Sequence, residues 1–153
     1  MNKDYLLQTA NQLKQVSETA YNEYAQMSEQ LITEMNKLMS ERTDLKSLVG
    51  KDNIKMMHDN HSNHIRFIAS ILKSNNPEVL VETILWVFRA YRSHGFATNY
   101  WAAQLNTWVQ IFKKQLTKET YKEVLPLYEW MQINIPVFVK VSDEKLESTN
   151  KFH

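Results

Sequence analysis

Three histidines occur at three-residue intervals in this chain, at positions 58, 61 and 64. Neutral imidazole is the commonest metal ligand in proteins, and residues three apart on a helix lie on neighbouring parts of one face. The chain nevertheless contains no His-Glu-x-x-His or Glu-x-x-His sequence, which would complete a familiar helical metal site. We interpret His61 and His64 as partly buried, hydrogen-bonded side chains. A metal site formed by His61, His64 and His94 is the alternative.

A second group of polar residues lies about 30 positions further on. Tyr91 and His94 share the apolar face of a predicted helix, and Arg89 and Arg92 lie on its neighbouring faces. Because this helix is largely apolar and should be mostly buried, each guanidinium group needs solvent or a negatively charged partner. Their partners are either solvent or a carboxylate at the edge of the core, such as Glu82 or Glu129, or else the acidic group of a ligand, for example a propionate or fatty carboxylate.

The same region is unusually aromatic. Residues 86 to 101 contain six aromatic side chains, two arginines, a histidine and one of the two glycines of the chain. Such density at a corner between helices is typical of the centre of a core or the wall of a ligand pocket. The candidate ligand-binding residues are His61, His64, Trp86, Arg89, Tyr91, Arg92, His94, Phe96 and Trp101.

Enzyme chemistry finds little support in the residue types. Two glycines cannot build a phosphate-binding loop, no Gly-x-Ser-x-Gly sequence occurs, and no cysteine is present to act as a nucleophile. No acid and base pair stands out among the 17 aspartates and glutamates. We therefore predict a protein that is not an enzyme.

Composition limits the partners and the compartment. A formal net charge of +1 provides no field that would attract nucleic acid or an acidic membrane surface. No stretch approaches the ~20 apolar residues that span a bilayer, and the N-terminus does not resemble a signal peptide. The absence of cysteine fits a reducing cytoplasm. We expect a cytoplasmic protein without nucleic-acid or membrane partners.

The elements that carry these residues are predicted to be helices throughout. The chain has 153 residues, 43% of them hydrophobic, and no strand-like alternation. Apolar residues recur every three or four positions, which predicts an all-α, single-domain helical bundle.

Residues 1 to 48 are predicted to form one long helix, because a largely apolar stripe runs from Leu6 to Leu48. A straight helix of about 45 residues would reach about 68 Å, whereas a domain of this size has a radius of gyration near ~15 Å. Either the helix breaks near residues 40 to 43, or it protrudes and pairs with a second copy to form a homodimer.

Residues 51 to 140 are predicted to form the helical core. A helix over 52 to 73 is followed by one that starts at Asn76-Pro77 and ends at Gly95. Two more begin near 98 and 117, and prolines 126 and 136 should kink or end the last of them. Residues 141 to 153 are polar and predict a frayed tail.

The spacing of the candidate residues resembles that of globins. His61 and Tyr91, and equally His64 and His94, stand 30 residues apart, like the distal and proximal positions beside haem. The run YRSHGFATNYW from Tyr91 is similar to the corner after the proximal position in globin-coupled sensor domains. The resemblance implies a globin-like fold. Because the proximal position falls on Tyr91, it also implies a non-haem sensor whose cavity holds side chains or an apolar ligand.

Three functional hypotheses follow. The leading one is a non-enzymatic sensory or regulatory domain that binds an apolar or haem-like ligand between the helices over 52 to 73 and 78 to 94, or contacts a partner protein. The second is a haem or metal protein that uses His61 or His64 opposite His94. The third is a structural interaction module, held as a dimer by residues 1 to 48.

Overall fold

A computed structural model describes the backbone of residues 1–151 and the side chains of residues 1–144. Within that range the chain is 80% helical, with nine helices and no strands. The predicted all-α bundle is therefore confirmed. The helices are α1 (Lys3–Ala10), α2 (Glu18–Gln26), α3 (Ser28–Ser40), α4 (Leu45–Val49), α5 (Ile54–Lys73), α6 (Pro77–Ser93), α7 (Asn99–Gln115), α8 (Lys118–Ile133) and α9 (Ile135–Lys151).

The prediction of one long N-terminal helix is wrong. The chain leaves the helical conformation after α1 and forms three further short helices, α2 to α4, before residue 50. One of the breaks, between Ser40 and Leu45, lies where the sequence predicts it. The larger break, over residues 11 to 17, depends on distant contacts: Gln15 donates a hydrogen bond to the Leu72 carbonyl (2.5 Å) and accepts one from the Asn75 amide (2.8 Å).

The N-terminal apolar stripe is used inside the chain. Leu6, Ala10, Ala20, Tyr24 and Leu31 all have 0% exposed surface. A stripe buried in its own core presents no seam to a second copy. The homodimer predicted through residues 1 to 48 therefore loses its structural basis.

Helices α2 and α8 cap each other. The Glu123 carboxylate of α8 accepts hydrogen bonds from the amide and hydroxyl of Ser17, the residue before α2, both at 2.8 Å. In return, the Glu23 carboxylate of α2 accepts from the amide and hydroxyl of Thr117 (both 2.7 Å) and from the Thr120 hydroxyl (2.8 Å) at the start of α8. Partial burial acts to raise the pKa of Glu23, but these hydrogen bonds outweigh it and lower the pKa. Each helix therefore holds the residue that caps the other's start, and the hydroxyl of that residue accepts from the first turn, at Ala20 and Thr120.

The C-terminal region differs from its prediction in two respects. Helix α8 continues through Pro126, while Pro136 lies in the first turn of a new helix, α9. Residues 141 to 151, predicted as a frayed tail, continue α9, which packs against α6. Ser142 is fully buried there and Asp143 forms an ion pair with Arg92. The last two residues of the predicted tail lie outside the described range.

Across the described residues, none of the helices combines the length and apolar character that crossing a bilayer requires.

Candidate ligand-binding site

Helices α5 and α6 run side by side without close backbone packing between them. Helix α5 packs on α2 and α3, whereas α6 packs on α1 and α9. A short link, residues 74 to 76, joins one pair of helix ends. The Asn53 side chain joins the other pair, because its amide donates to the carbonyls of Val49 (2.7 Å) and His94 (2.8 Å). The helices are thus fixed at both ends with space between their middle turns.

Two glycines permit this junction. Gly50 has a φ of +84° and Gly95 a φ of +99°. A Cβ atom on Gly50 would lie 3.2 Å from the Gly95 carbonyl oxygen. The close approach of these two turns places the end of α6 against the start of α5.

The space between α5 and α6 is a cavity of about 230 Å³. Helices α7, α8 and α9 close its floor. Its wall comprises Asn60, Asn63, His64, Phe67 and Ile68 of α5, Thr83, Ile84, Trp86, Val87, Phe88 and Tyr91 of α6, Trp101, Gln104 and Leu105 of α7, Met131 of α8 and Phe138 of α9.

The wall is predominantly aromatic and aliphatic. Phe88 stacks on Trp101 with ring centroids 4.5 Å apart, and Tyr91 meets Trp101 edge-on at 5.8 Å. Trp86, which is 60% exposed, lies where the cavity reaches the surface. None of the described wall residues is an aspartate, glutamate, lysine or arginine. Such a lining suits an uncharged, largely apolar ligand.

Two buried amides, one on α5 and one on α7, contribute to the polar part of the cavity wall. The Asn60 side-chain oxygen accepts hydrogen bonds from the Tyr100 hydroxyl (2.8 Å) and the Gln104 amide (2.5 Å). All three residues are at least 96% buried. Their mutual hydrogen bonds satisfy polar groups that would otherwise be costly to bury, and they fix the orientation of the Asn60 amide.

His61 belongs to this buried network and does not line the cavity. Its Nδ1 lies 2.6 Å from the Asn36 side-chain oxygen, and its Nε2 lies 3.3 Å from the Tyr100 hydroxyl. Because an oxygen of Asn36 can only accept, Nδ1 carries the proton. Burial, with smaller contributions from the charges of His64 and His58, lowers the pKa of His61 to about 3. His61 is thus a neutral, structurally engaged histidine.

His64 lies one turn further along α5 and does line the cavity. Its Nε2 is 2.7 Å from the Tyr128 hydroxyl, and its ring stacks on Trp108 at a centroid distance of 5.4 Å. Burial lowers the pKa of His64 to about 3. His64 therefore contributes a neutral imidazole to the wall.

The remaining polar candidates lie elsewhere. His94 is exposed and caps the end of α6, so its predicted inward orientation is wrong. Its backbone leaves the helix in the last turn before Gly95, and the side chain no longer follows the apolar face. Arg92 pairs with Asp143, and neither Arg92 nor Arg89 lines the cavity. An acidic ligand held by these arginines is not supported.

The predicted metal alternative is also not supported by the geometry. His94 is exposed, whereas His61 is fully buried in the core and His64 lies in the cavity wall. No group of three or more histidine, aspartate or glutamate side chains with metal-binding geometry occurs among the described residues.

Haem does not fit the residues present. The cavity is smaller than the roughly 300–1,000 Å³ of pockets that bury a drug-sized ligand, and a haem is larger than most such ligands. The haem hypothesis places His61 or His64 opposite His94. His94 is at the surface, both ring nitrogens of His61 face side chains of the core, and His64 lines the cavity with its Nε2 2.7 Å from the Tyr128 hydroxyl.

Four of the nine predicted ligand-binding residues line the cavity together: His64, Trp86, Tyr91 and Trp101. Phe96 is instead a core residue, packed edge-on against Tyr91 with centroids 5.0 Å apart. Most of the wall was not predicted. The wall residues of α5 lie at positions 60, 63, 64, 67 and 68, which also follow a spacing of three and four. Positions 64 and 68 belong to the stripe through His61, and positions 60, 63 and 67 lie beside it. That second periodicity is the signal that could have revealed Asn60 and Phe67.

No protein-family model matches this chain, and no curated protein or solved structure matches it either. Function must therefore be inferred from the cavity itself.

Proposed function

We propose that this protein is a non-enzymatic sensory or regulatory domain that binds a small, neutral, largely apolar ligand between α5 and α6. The observation that supports the proposal is the aromatic, uncharged cavity of about 230 Å³ between two helices whose ends are fixed to each other. An apolar cavity of 150 Å³ is already large enough to bind benzene, so a substituted single ring is a suitable size.

A ligand in this position would bridge two halves of the bundle. Helix α5 belongs with α2 and α3, and α6 belongs with α1 and α9. Filling the space adds apolar contacts between these halves at about 25 cal/mol per Å² of buried surface. Ligand binding would thereby change how firmly α6 and α9 are held, which is the regulatory response that we propose.

We also propose that the chain is related to non-haem, globin-like sensors. This proposal is supported by the position of the cavity, which lies between the two consecutive helices that carry the resemblance and is lined by one residue of each pair, Tyr91 and His64. The haem-binding and metal-binding alternatives have no comparable support.

The direct test is a titration with ethylbenzene, followed by ¹H–¹⁵N NMR and thermal unfolding. We expect saturable shifts of the Trp101 and Trp86 indole signals and a melting temperature that rises with ligand concentration, because ethylbenzene binds only the folded state. Val87→Phe should block the cavity and abolish both effects. The matched control is Val79→Phe on the same helix, since Val79 is 46% exposed and does not line the cavity.

Absence of saturable shifts in the unsubstituted protein would refute the proposal. So would equal binding by the Val87→Phe and Val79→Phe variants, because the compound would then bind outside the cavity.

A further inference from the structure

His64 is connected to two buried tyrosines in a chain of hydrogen bonds. The hydroxyls of Tyr24 and Tyr128 are 2.7 Å apart, and the Tyr128 hydroxyl is 2.7 Å from His64 Nε2. Both tyrosines have 0% exposed surface, and burial raises the pKa of each well above its usual range. Both hydroxyls therefore keep their protons, and this series of hydrogen bonds contains two O–H groups that need acceptors.

The protons of this chain can be placed by requiring that every buried donor has an acceptor. If Tyr24 donates to Tyr128 and Tyr128 donates to His64 Nε2, both hydroxyl protons are satisfied. In the reverse direction Nε2–H donates to Tyr128 and Tyr128 donates to Tyr24, whose own proton then has no acceptor among the described residues. A buried donor without a partner is strongly unfavourable. The chain thus selects the tautomer of His64 with its proton on Nδ1.

Within the part of the chain that the structure describes, no group accepts a hydrogen bond from Nδ1–H. The only hydrogen bond of the His64 ring within the described residues is the one from Tyr128 to Nε2. His64 lines the cavity and keeps some accessible surface there. The wall of the cavity therefore includes an imidazole whose donor is available to a ligand.

Trp101 supplies a second unpaired donor to the same wall. The residue is only 3% exposed and lines the cavity, yet its indole N–H has no hydrogen-bond partner in the described part of the chain. The indole N–H of Trp108 is also unpaired, but Trp108 is not part of the wall. A buried N–H donor is rarely left without a partner, so the Trp101 indole, beside the accessible Nδ1–H of His64, points to a hydrogen-bond acceptor on the ligand.

The acceptor should be neutral. No cation among the described residues lines the cavity, and burying a carboxylate without one is costly. A carbonyl oxygen carries two lone pairs and no proton, so it can receive two donors at once.

We propose that the ligand is a small neutral carbonyl compound, a ketone or aldehyde with a body about the size of one ring, whose oxygen accepts a hydrogen bond from His64 Nδ1–H. Its second lone pair is available to the Trp101 indole N–H. This inference rests on the proposed ligand-binding function and adds the chemical class of the ligand.

The test compares acetophenone with ethylbenzene, which has a similar shape but a CH₂ group in place of the carbonyl. Affinities are measured by NMR titration of the unsubstituted protein, of His64→Phe and of the control His94→Phe, whose site is exposed. We expect His64→Phe to weaken acetophenone about tenfold, because its carbonyl loses a buried donor. Ethylbenzene affinity should change by less than about twofold, and His94→Phe should affect neither compound.

The tautomer is measured independently in the unsubstituted protein, since His64→Phe leaves the Tyr128 hydroxyl without an acceptor and could impair folding. Long-range ¹H–¹⁵N NMR should show His64 protonated at Nδ1, with that proton shifted downfield by acetophenone but not by ethylbenzene. Protonation at Nε2, or equal weakening of both compounds by His64→Phe, would overturn the inference while leaving the proposed function intact. Failure of both compounds to bind would refute the proposed function and this inference with it.

Discussion

Acidification should destabilise this fold strongly, because His61, which is fully buried, and His64, which is largely enclosed in the cavity wall, accept protons much more readily when the chain unfolds. Burial and neighbouring histidine charge lower the pKa of His61 to about 3, and burial lowers that of His64 to about 3. In the unfolded chain a histidine has a pKa near ~6.5. Below that pH the unfolded state binds more protons than the folded state, so stability present at higher pH is lost as the pH falls from ~6.5 towards 3.

The expected loss follows from the protonation of the unfolded state. At pH 5, each unfolded histidine is stabilised by RT ln(1 + 10^1.5), or about 2 kcal/mol, while the folded side chains stay almost unprotonated. Two such residues lower the free energy of unfolding by about 4 kcal/mol, a large part of the 5–15 kcal/mol that is typical for the unfolding of a domain. Carboxylates add little in this window, because their unfolded pKa values of about 4 lie below it.

Urea unfolding monitored by circular dichroism at intervals between pH 8 and pH 5 measures this loss. His64→Gln should halve the pH-dependent change to about 2 kcal/mol, since one of the two buried imidazoles is removed. The control His94→Gln, at an exposed position, should retain the full change. A wild-type stability that varies by less than about 1 kcal/mol over this range would refute the assignment of both histidines as buried and neutral.

Three further substitutions test how the bundle is held together. Asn53→Ala removes the hydrogen bonds to Val49 and His94 and should lower the free energy of unfolding by about 1–3 kcal/mol in urea titrations; an unchanged value would show that this junction does not hold α5 and α6. Gly50→Ala should cost about 1–3 kcal/mol because φ is +84° and the added Cβ meets a carbonyl, and a neutral effect in a thermal melt would contradict that conformation. Leu31→Ala, at a fully buried position, should lower the free energy of unfolding by about 2–5 kcal/mol. The mass measured by light scattering should stay the same; conversion of a dimer to a monomer would support the predicted N-terminal interface.

Local signals in the sequence predicted the helices that begin or end with strong caps. Helix α6 starts where Asn76 caps it, by accepting a hydrogen bond from the Val79 amide at 3.2 Å, and its connection to α7 contains Gly95 in a left-handed conformation. These signals act within a few residues and need no knowledge of the rest of the fold.

The N-terminal breaks were harder to predict because distant residues stabilise them. Residues 11 to 17 contain neither glycine nor proline, and a helical continuation satisfies the local pattern. The non-helical conformation of this segment is stabilised by hydrogen bonds between the Gln15 side chain and the backbone of Leu72 and Asn75, about 60 positions away. Only the tertiary structure brings these groups together.

The candidate site was predicted in part for a similar reason. The apolar stripe on α5 identified His64 correctly, but it did not show that the neighbouring face, with Asn60 and Phe67, lines a space and that His61 faces the core. Periodicity gives the direction of a side chain relative to its own helix. Whether that direction meets another helix or a cavity depends on the spacing between helices. Here the hydrogen bond from Asn53, just before α5, to the His94 carbonyl helps to set that spacing.

The cavity itself reduces the stability of the fold, and this cost bears on function. At about 24 cal/mol per Å³ of unfilled volume, 230 Å³ corresponds to about 5.5 kcal/mol, an upper limit because the cavity reaches the surface beside Trp86. Larger side chains at Val87 could fill the space without a change of fold, so Val87→Phe is expected to raise the melting temperature while abolishing ethylbenzene binding. A gain in stability that accompanies the loss of binding is characteristic of a site kept open for a ligand. If Val87→Phe instead destabilises the protein, the space beside Val87 is too small or too rigid for a tethered ring; ethylbenzene should then also fail to bind the unsubstituted protein, which would refute the ligand-binding proposal.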